Sequence, residues 1–229
     1  MSSLLPRILF EDNHLLAINK LSSEIVQGDK TGDAPLSDLV KHYIKEKFNK
    51  PGDVYLGVVH RIDRPVSGVV LFARTGKAAA RLSEMFRDKK IKKTYWAVVK
   101  NKPPAAEGTL VHFLQKNEKK NMSRAFEKEQ KGALRAELNY KLLKSSTNYH
   151  LLEVNPVTGR HHQIRVQLSA IGCPIKGDLK YGFNRSNENG GIHLHARKAE
   201  FQHPVKQEQV CIVADPPNDV LWNEFRKGL

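Results

Sequence analysis

The sequence holds 229 residues, 40% of them apolar, enough to build a packed core in one large domain or two small ones. Against 24 Asp and Glu stand 38 Lys and Arg, a formal net charge of +14 that disfavours small neutral substrates and points to a polyanionic partner. No run approaches the roughly 18 apolar residues of a membrane span, and the two cysteines, Cys173 and Cys211, are too few and too far apart for a disulfide scaffold or a cysteine zinc site.

The basic residues are spread along the whole chain and not gathered on one amphipathic helix, so nucleic acid is favoured over an anionic membrane. The opening Met-Ser-Ser-Leu-Leu-Pro-Arg is followed at once by Glu11 and Asp12, too short an apolar stretch for a secretory leader, and a cytoplasmic protein is expected.

In chain order, Ile8 to Phe10 and Leu15 to Ile18 read as two strands joined by the polar turn Glu11-Asp12-Asn13. Leu36, Leu39, Val40, Tyr43, Ile44 and Phe48 recur at helical spacing, and Pro35 suits the start of that helix. Strands are expected at Tyr55 to Val59 and Val69 to Ala73, flanking a loop from His60 to Gly68. A second helix covers Lys77 to Arg87, with Ala78, Leu82, Met85 and Phe86 inward.

Four strands without crossover helices follow, at Thr94 to Val99, Thr109 to Leu114, Leu134 to Leu143 and Asn148 to Val154, a pattern that favours antiparallel pairing. Residues 115 to 133, with six Lys and Arg against three Glu, read as a polar loop, either solvated or contacting nucleic acid. A helix at His162 to Ile171, strands at Leu194 to Phe201 and Gln209 to Val213, and a helix at Asp219 to Arg226 complete the chain. No repeat or linker interrupts it. The expectation is a single α+β domain over 1–229, a mixed, largely antiparallel sheet flanked by helices and loops.

The loop His60-Arg61-Ile62-Asp63-Arg64-Pro65-Val66-Ser67-Gly68 places one carboxylate among two arginines and a histidine. Neighbouring positive charge favours the ionised form, and loops at strand ends are where scaffolds present functional groups. Such an Asp is a candidate nucleophile or base. Taken alone, the same string also fits a surface ion-pair cluster.

Other segments decide between these readings. His60 to Arg64 followed by Ser67-Gly68 resembles the catalytic motif of the RluA class of RNA pseudouridine synthases, usually His-Arg-Leu-Asp-Arg with Thr-Ser-Gly after it. Lys93-Thr94-Tyr95-Trp96-Ala97-Val98-Val99 resembles its Lys-x-Tyr-x-Ala-x-Val strand. Gly159-Arg160-His161-His162-Gln163-Ile164-Arg165-Val166-Gln167-Leu168 resembles its Gly-Arg-Thr-His-Gln-Ile-Arg-Val-His-Leu. Gly172 to Asp178 with Tyr181-Gly182, then Leu194-His195-Ala196 and Phe201-Gln202-His203-Pro204, match the later blocks, and Glu11-Asp12 with Asn19-Lys20 fit the opening hairpin. The blocks stand in the family's order from about residue 8 to residue 204. Departures are Val66 for Thr, Ile62 for Leu, Leu21 for Pro, His161 for Thr and Gln167 for His; the last two touch substrate fit.

The resemblance implies the pseudouridine synthase fold and the isomerisation of uridines in ribosomal RNA, transfer RNA or both. In that reaction the uracil leaves carbon 1′ of its ribose, rotates and rejoins through its carbon 5, without cofactor or metal. By resemblance, Asp63 is the essential aspartate, attacking either base or sugar. Tyr95 packs on the target base and is a candidate for a late proton transfer, and Arg165 pairs with the catalytic carboxylate. Arg61 fills the space left by the flipped base or grips a phosphate. His60, Arg64, Arg160, His162 and Gln163 join Arg61 as substrate-binding candidates, and Leu168 either lies near the base or packs the core. Asp178 looks like part of a turn.

The partner implied is structured RNA, bound by a monomer with no obligate protein partner. The family's additional N-terminal module of S4 type is expected to be absent, since the catalytic blocks begin almost at once. Two other classes fit the sequence less well. A non-catalytic RNA-binding protein sits badly with an intact Asp63, Tyr95 and Arg165, and a glycosidase needs a second carboxylate that the motifs near Asp63 lack.

Overall fold

The computed structural model describes residues 4–29 and 32–228; Met1 to Ser3, on which the leader expectation partly rests, lie outside them. The chain forms two compact units, one from Met1–Lys92 and Ala196–Pro217, the other from Lys93–His195 and Asn218–Leu229. Among the described residues, eleven strands and four α-helices make an α+β protein with a mixed, mostly antiparallel sheet.

In the first unit, β1 (Ile8–Glu11) and β2 (Leu15–Lys20) form the expected hairpin. Asp12 sets its turn by accepting the backbone N–H groups of His14 and Leu15 at 2.8 Å. Helix α1 (Leu36–Lys47) follows, burying Leu36, Val40, Tyr43 and Ile44 at the predicted spacing. β2 pairs antiparallel with β4 (Ser67–Ala73), from Leu15 opposite Ala73 to Lys20 opposite Gly68. All seven residues of β4 are buried, which explains why Val69 to Ala73 reads as a continuous apolar run without alternation.

The strand expected over Tyr55 to Val59 shrinks to β3 (Gly57–Val58). It finds only two register positions on β4, at Ala73 and Phe72, before the chain turns into the next loop. Helix α2 (Gly76–Arg87) is capped by Thr75, whose hydroxyl accepts from Ala78 N at 3.2 Å. It buries Ala78 and Leu82 against Leu15, Ala17, Val69 and Leu71, with Met85 and Phe86 packed at the margin. The C-terminal part of β10 (Leu194–Gln202) pairs with β11 (Gln209–Val213) and closes that core through Ala199, Phe201 and Ile212.

The second unit is an antiparallel run. β5 (Lys92–Val99) pairs with β9 (His150–Pro156), β9 with β8 (Leu134–Ser145), and β8 with β6 (Glu107–Asn117). Residues 115 to 133 correct the sequence reading. They are not a plain loop, because β7 (Met122–Phe126) folds back on β6 from Asn117 opposite Met122 to Phe113 opposite Phe126.

Helix α3 (Gln163–Ala170) is buried from Gln163 to Leu168, and Val166 packs with Leu114, Ala136 and Tyr181. Helix α4 (Val220–Arg226) is capped by Asp219, which accepts from Trp222 N at 2.8 Å. It sets Trp222 and Phe225 against Trp96, Val98 and Leu151.

Candidate active site

In the first unit, the loop between β3 and β4 carries His60, Arg61, Asp63 and Arg64. Ile62 and Val66, both buried, anchor it on either side of the carboxylate. That apolar pair leaves Arg61 and Arg64 exposed and Asp63 half-buried. Val66 N donates to Asp63 O at 3.0 Å, closing a tight turn.

The loop ends at Gly68, whose φ is +114°; a Cβ there would stand 2.3 Å from the carbonyl oxygen of Ala196. Only glycine admits that approach. At the other end, His60 Nε2 accepts the Leu71 backbone N–H at 2.8 Å, and its ring stacks on Phe86 with centroids 4.5 Å apart. The accepting Nε2 puts the proton of the neutral imidazole on Nδ1.

Lys20, which the sequence marks only as part of the opening hairpin, ends β2 and reaches this loop. Its side chain is fully buried, and Nζ donates to the carbonyls of Leu21, Glu24 and Arg64 at 2.9, 2.8 and 3.1 Å. Ser23 N donates to that same Arg64 carbonyl at 2.9 Å, and Arg64 Nε returns a bond to Ser23 O at 3.1 Å. Three hydrogen bonds with Lys20 and Ser23 at the end of β2 thus hold Arg64, the residue after Asp63.

Burial pushes the Lys20 ammonium down to about 7, against the pull of the Glu24 and Asp63 carboxylates. Arg7 secures Glu24 through both terminal guanidinium nitrogens, and its Nε donates to Asn19 O at 3.0 Å. Arg64 also pairs with Asp33 at 2.8 Å on the surface.

In the second unit, Tyr95 lies half-buried on β5 opposite Val154. The segment Gly159 to Leu168 turns into α3. Gln163 is spent internally: its Oε1 accepts from Thr158 Oγ1 at 2.7 Å and Arg160 N at 2.9 Å, while Nε2 donates to Glu137 O at 2.9 Å. Arg160 Nε donates to Arg135 O at 3.1 Å. His162 sits in the left-handed region with φ 53°, and its Nδ1 lies 2.8 Å from Tyr181 Oη. Leu168 is fully buried, the core role that was one of its two readings.

Arg165 is 4% exposed at its side chain and forms a bidentate pair with Asp178, Nε to Oδ2 at 2.7 Å and Nη2 to Oδ1 at 2.8 Å. Its guanidinium carbon stands 5.0 Å from the centre of the Tyr181 ring. Asp178 is therefore more than a turn residue. A carboxylate 13 positions away carries no sequence spacing that would announce this pair. Lys93, at the head of the Tyr95 strand, is another group the reading left without a role, and burial lowers its ammonium below the ordinary lysine range.

Three further contacts involve histidines: His162 Nδ1 with Tyr181 Oη, His195 edge-on with the Trp222 ring, and His203 Nε2 at 3.0 Å from Asp12 Oδ2.

The RNA pseudouridylate synthase family model matches residues 14–170, a span that contains the Asp63 loop, Tyr95 and Arg165. The chain belongs to the RNA pseudouridylate synthase family. As such it is an isomerase that converts uridine in RNA to pseudouridine.

The synthase is 35% identical over 212 residues to a ribosomal large subunit pseudouridine synthase C of Rickettsia prowazekii, covering 92% of this chain and 68% of that one. A protein of the same description from Buchnera aphidicola is 34% identical over 231 residues, covering 98% and 71%. Among solved structures, human RNA pseudouridylate synthase domain containing 4 superposes with a TM-score of 0.81 at 25% identity, covering 96% of this synthase and 92% of that chain. Human RNA pseudouridylate synthase domain containing 1, at 21% identity and TM-score 0.70, shares the fold. No helix among the described residues is long and apolar enough to cross a membrane.

Proposed function

We propose that the enzyme isomerises a uridine of ribosomal large-subunit RNA, with Asp63, Tyr95 and Arg165 as its catalytic set. The observation that carries the assignment of Asp63 is the way the loop is built around it. Two buried apolar anchors, a glycine-only close approach and a buried lysine all fix a single half-buried carboxylate between two exposed arginines. A scaffold that spends so many contacts on one loop holds a reacting group in a fixed geometry.

In this reading Asp63 is the nucleophile that lets the base leave carbon 1′ of its ribose. Tyr95 packs on the base. Arg165 supplies positive charge for the carboxylate, and its bond to Asp178, using two of five N–H donors, holds the guanidinium in one orientation. The target nucleotide leaves its stack to be reached, and Arg61, exposed beside Asp63, occupies the vacated space.

Arg64 and Arg160 contact the RNA, while His60, His162 and Gln163 serve by holding the two loops, since their ring and amide atoms are committed to the protein. The choice of large-subunit over transfer RNA rests on the names of the relatives, and the cytoplasm, where ribosomes are made, follows as the site of action.

Mapping pseudouridine in ribosomal and transfer RNA from cells with and without the gene tests the substrate. One large-subunit position should revert to uridine in the deletion strain and return on complementation. Loss of a transfer-RNA position alone would reassign the substrate.

A further inference from the structure

His161 is one of the sequence's departures from the family pattern, and the catalytic assignment above gives it no role. Its imidazole lies between two elements of the second unit. Nδ1 stands 2.9 Å from Ser123 Oγ on β7, and Nε2 stands 3.1 Å from Asn121 Oδ1 in the tip between β6 and β7. Ser123 Oγ also donates to the His161 carbonyl at 2.8 Å. The ring stacks on His162, with centroids 3.8 Å apart, and His162 in turn meets Tyr181, whose hydroxyl accepts from Ser123 N at 2.8 Å.

The hairpin tip and the turn into α3 are therefore joined through both ring nitrogens of one side chain. The tip itself is a tight structure: Lys120 N donates to Asn117 Oδ1 at 3.0 Å, Asn121 N to Glu118 O at 3.2 Å, and Asn121 has φ 45°. Along it, Lys116, Lys119, Lys120 and Arg124 are exposed. Four exposed cations on a hairpin suit the backbone phosphates of a polyanion.

We propose that His161 is a positioning residue that latches this basic hairpin to the turn from Arg160 to Arg165. Phosphate contacts made at the hairpin then fix the turn relative to the bound RNA. This rests on the reading that the chain modifies RNA. The latch acts on the rate of the bound complex, because the hairpin cations that supply affinity stay in place when it is cut.

The test is single-turnover pseudouridine formation on a folded ribosomal RNA fragment, with the dissociation constant measured in parallel. Asn121→Gly removes the acceptor while glycine keeps the left-handed backbone, and Asn121→Asp keeps both. His161→Ala cuts the latch from the other side. Loss of one such hydrogen bond should slow the saturated rate about five- to tenfold in Asn121→Gly and in His161→Ala, with RNA affinity within about twofold of wild type. Asn121→Asp should recover most of the rate, and the double variant should be no slower than the slower single one.

An unchanged saturated rate in Asn121→Gly, alongside normal wild-type turnover, overturns the latch. So does equal slowing in Asn121→Gly and Asn121→Asp, or a loss that falls on affinity alone. A wild-type protein that makes no pseudouridine on any ribosomal RNA overturns the functional reading itself.

Discussion

At the scale of single residues, a buried lysine and a buried ion pair bear on stability. Lys20 holds its proton at about 7 in the folded protein against 10.5 for a free lysine. Between those values the unfolded chain binds a proton that the folded one has released, so the Lys20 contribution to stability rises with pH across that window. Below about 7 the group is charged in both states and the cost of burying it is fully present. Stability measured by denaturant from pH 6.5 to 10 should therefore climb more steeply in wild type than in Lys20→Met. The difference should reach at most about 1.4 kcal/mol per pH unit, the value for one proton. Parallel curves would contradict the burial of this ammonium.

Arg165 and Asp178 form the second case. Arg165→Met leaves a carboxylate of 1% exposure without its partner, a loss of about 3–5 kcal/mol for a buried pair. Arg165→Met combined with Asp178→Asn should regain much of that stability, since the orphaned charge is gone. Activity should stay lost in both, as the proposed catalytic role of Arg165 requires. Chemical denaturation and turnover, measured on the same three proteins, separate the structural role of Arg165 from the catalytic one; full activity in the stable double variant would remove Arg165 from chemistry.

At the scale of elements, α2 meets the Asp63 loop at the Phe86 ring. Phe86 stacks on His60, and His60 Nε2 is tied to Leu71 of β4. Phe86→Leu keeps apolar volume and should cost less than about 1.5 kcal/mol, but it loses the stacked ring under the loop. A several-fold fall in turnover with a small change in Tm is expected, and full turnover would show that the helix does not steady the loop.

The elements also show what can be read from residues alone. Helix α1 announces itself through Leu36, Val40 and Ile44, and β2 and β4 through short apolar runs, because burial on one face or two writes a period into the chain. Strand β7 leaves no such trace. Its Met122, Ser123, Arg124, Ala125 and Phe126 hold too little apolar alternation to outweigh the lysines around them, and only the pairing with β6 makes it a strand. The segments that carry Asp63, Tyr95 and Arg165 stand out as motifs, whereas the contacts of Asp178 with Arg165 and of Lys20 with Arg64 span 13 and 44 positions of sequence and leave no local pattern.

At the scale of the whole molecule, a net charge of +14 leads to the expectation that phosphate contacts supply much of the affinity for RNA. The logarithm of its RNA affinity should fall linearly with the logarithm of potassium concentration, with a slope of about −0.7 to −0.9 for each phosphate neutralised. A flat line from low to physiological salt would deny an electrostatic RNA face, whatever the catalytic residues do.

We propose that one carboxylate, Asp63, drives the isomerisation in a loop built to hold it. Its most direct measurement is pseudouridine formed by Asp63→Asn on large-subunit RNA, quantified by mass spectrometry beside wild type, with folding and RNA affinity checked on the same preparation. The amide preserves shape and removes only the nucleophilic charge. The account predicts a folded protein that binds RNA within about threefold of wild type, well under the tenfold that 1.4 kcal/mol represents, and yields no detectable pseudouridine. Turnover at even a few per cent of wild type by clean protein, on the order of a loss of only 2 kcal/mol in transition-state stabilisation, would contradict it.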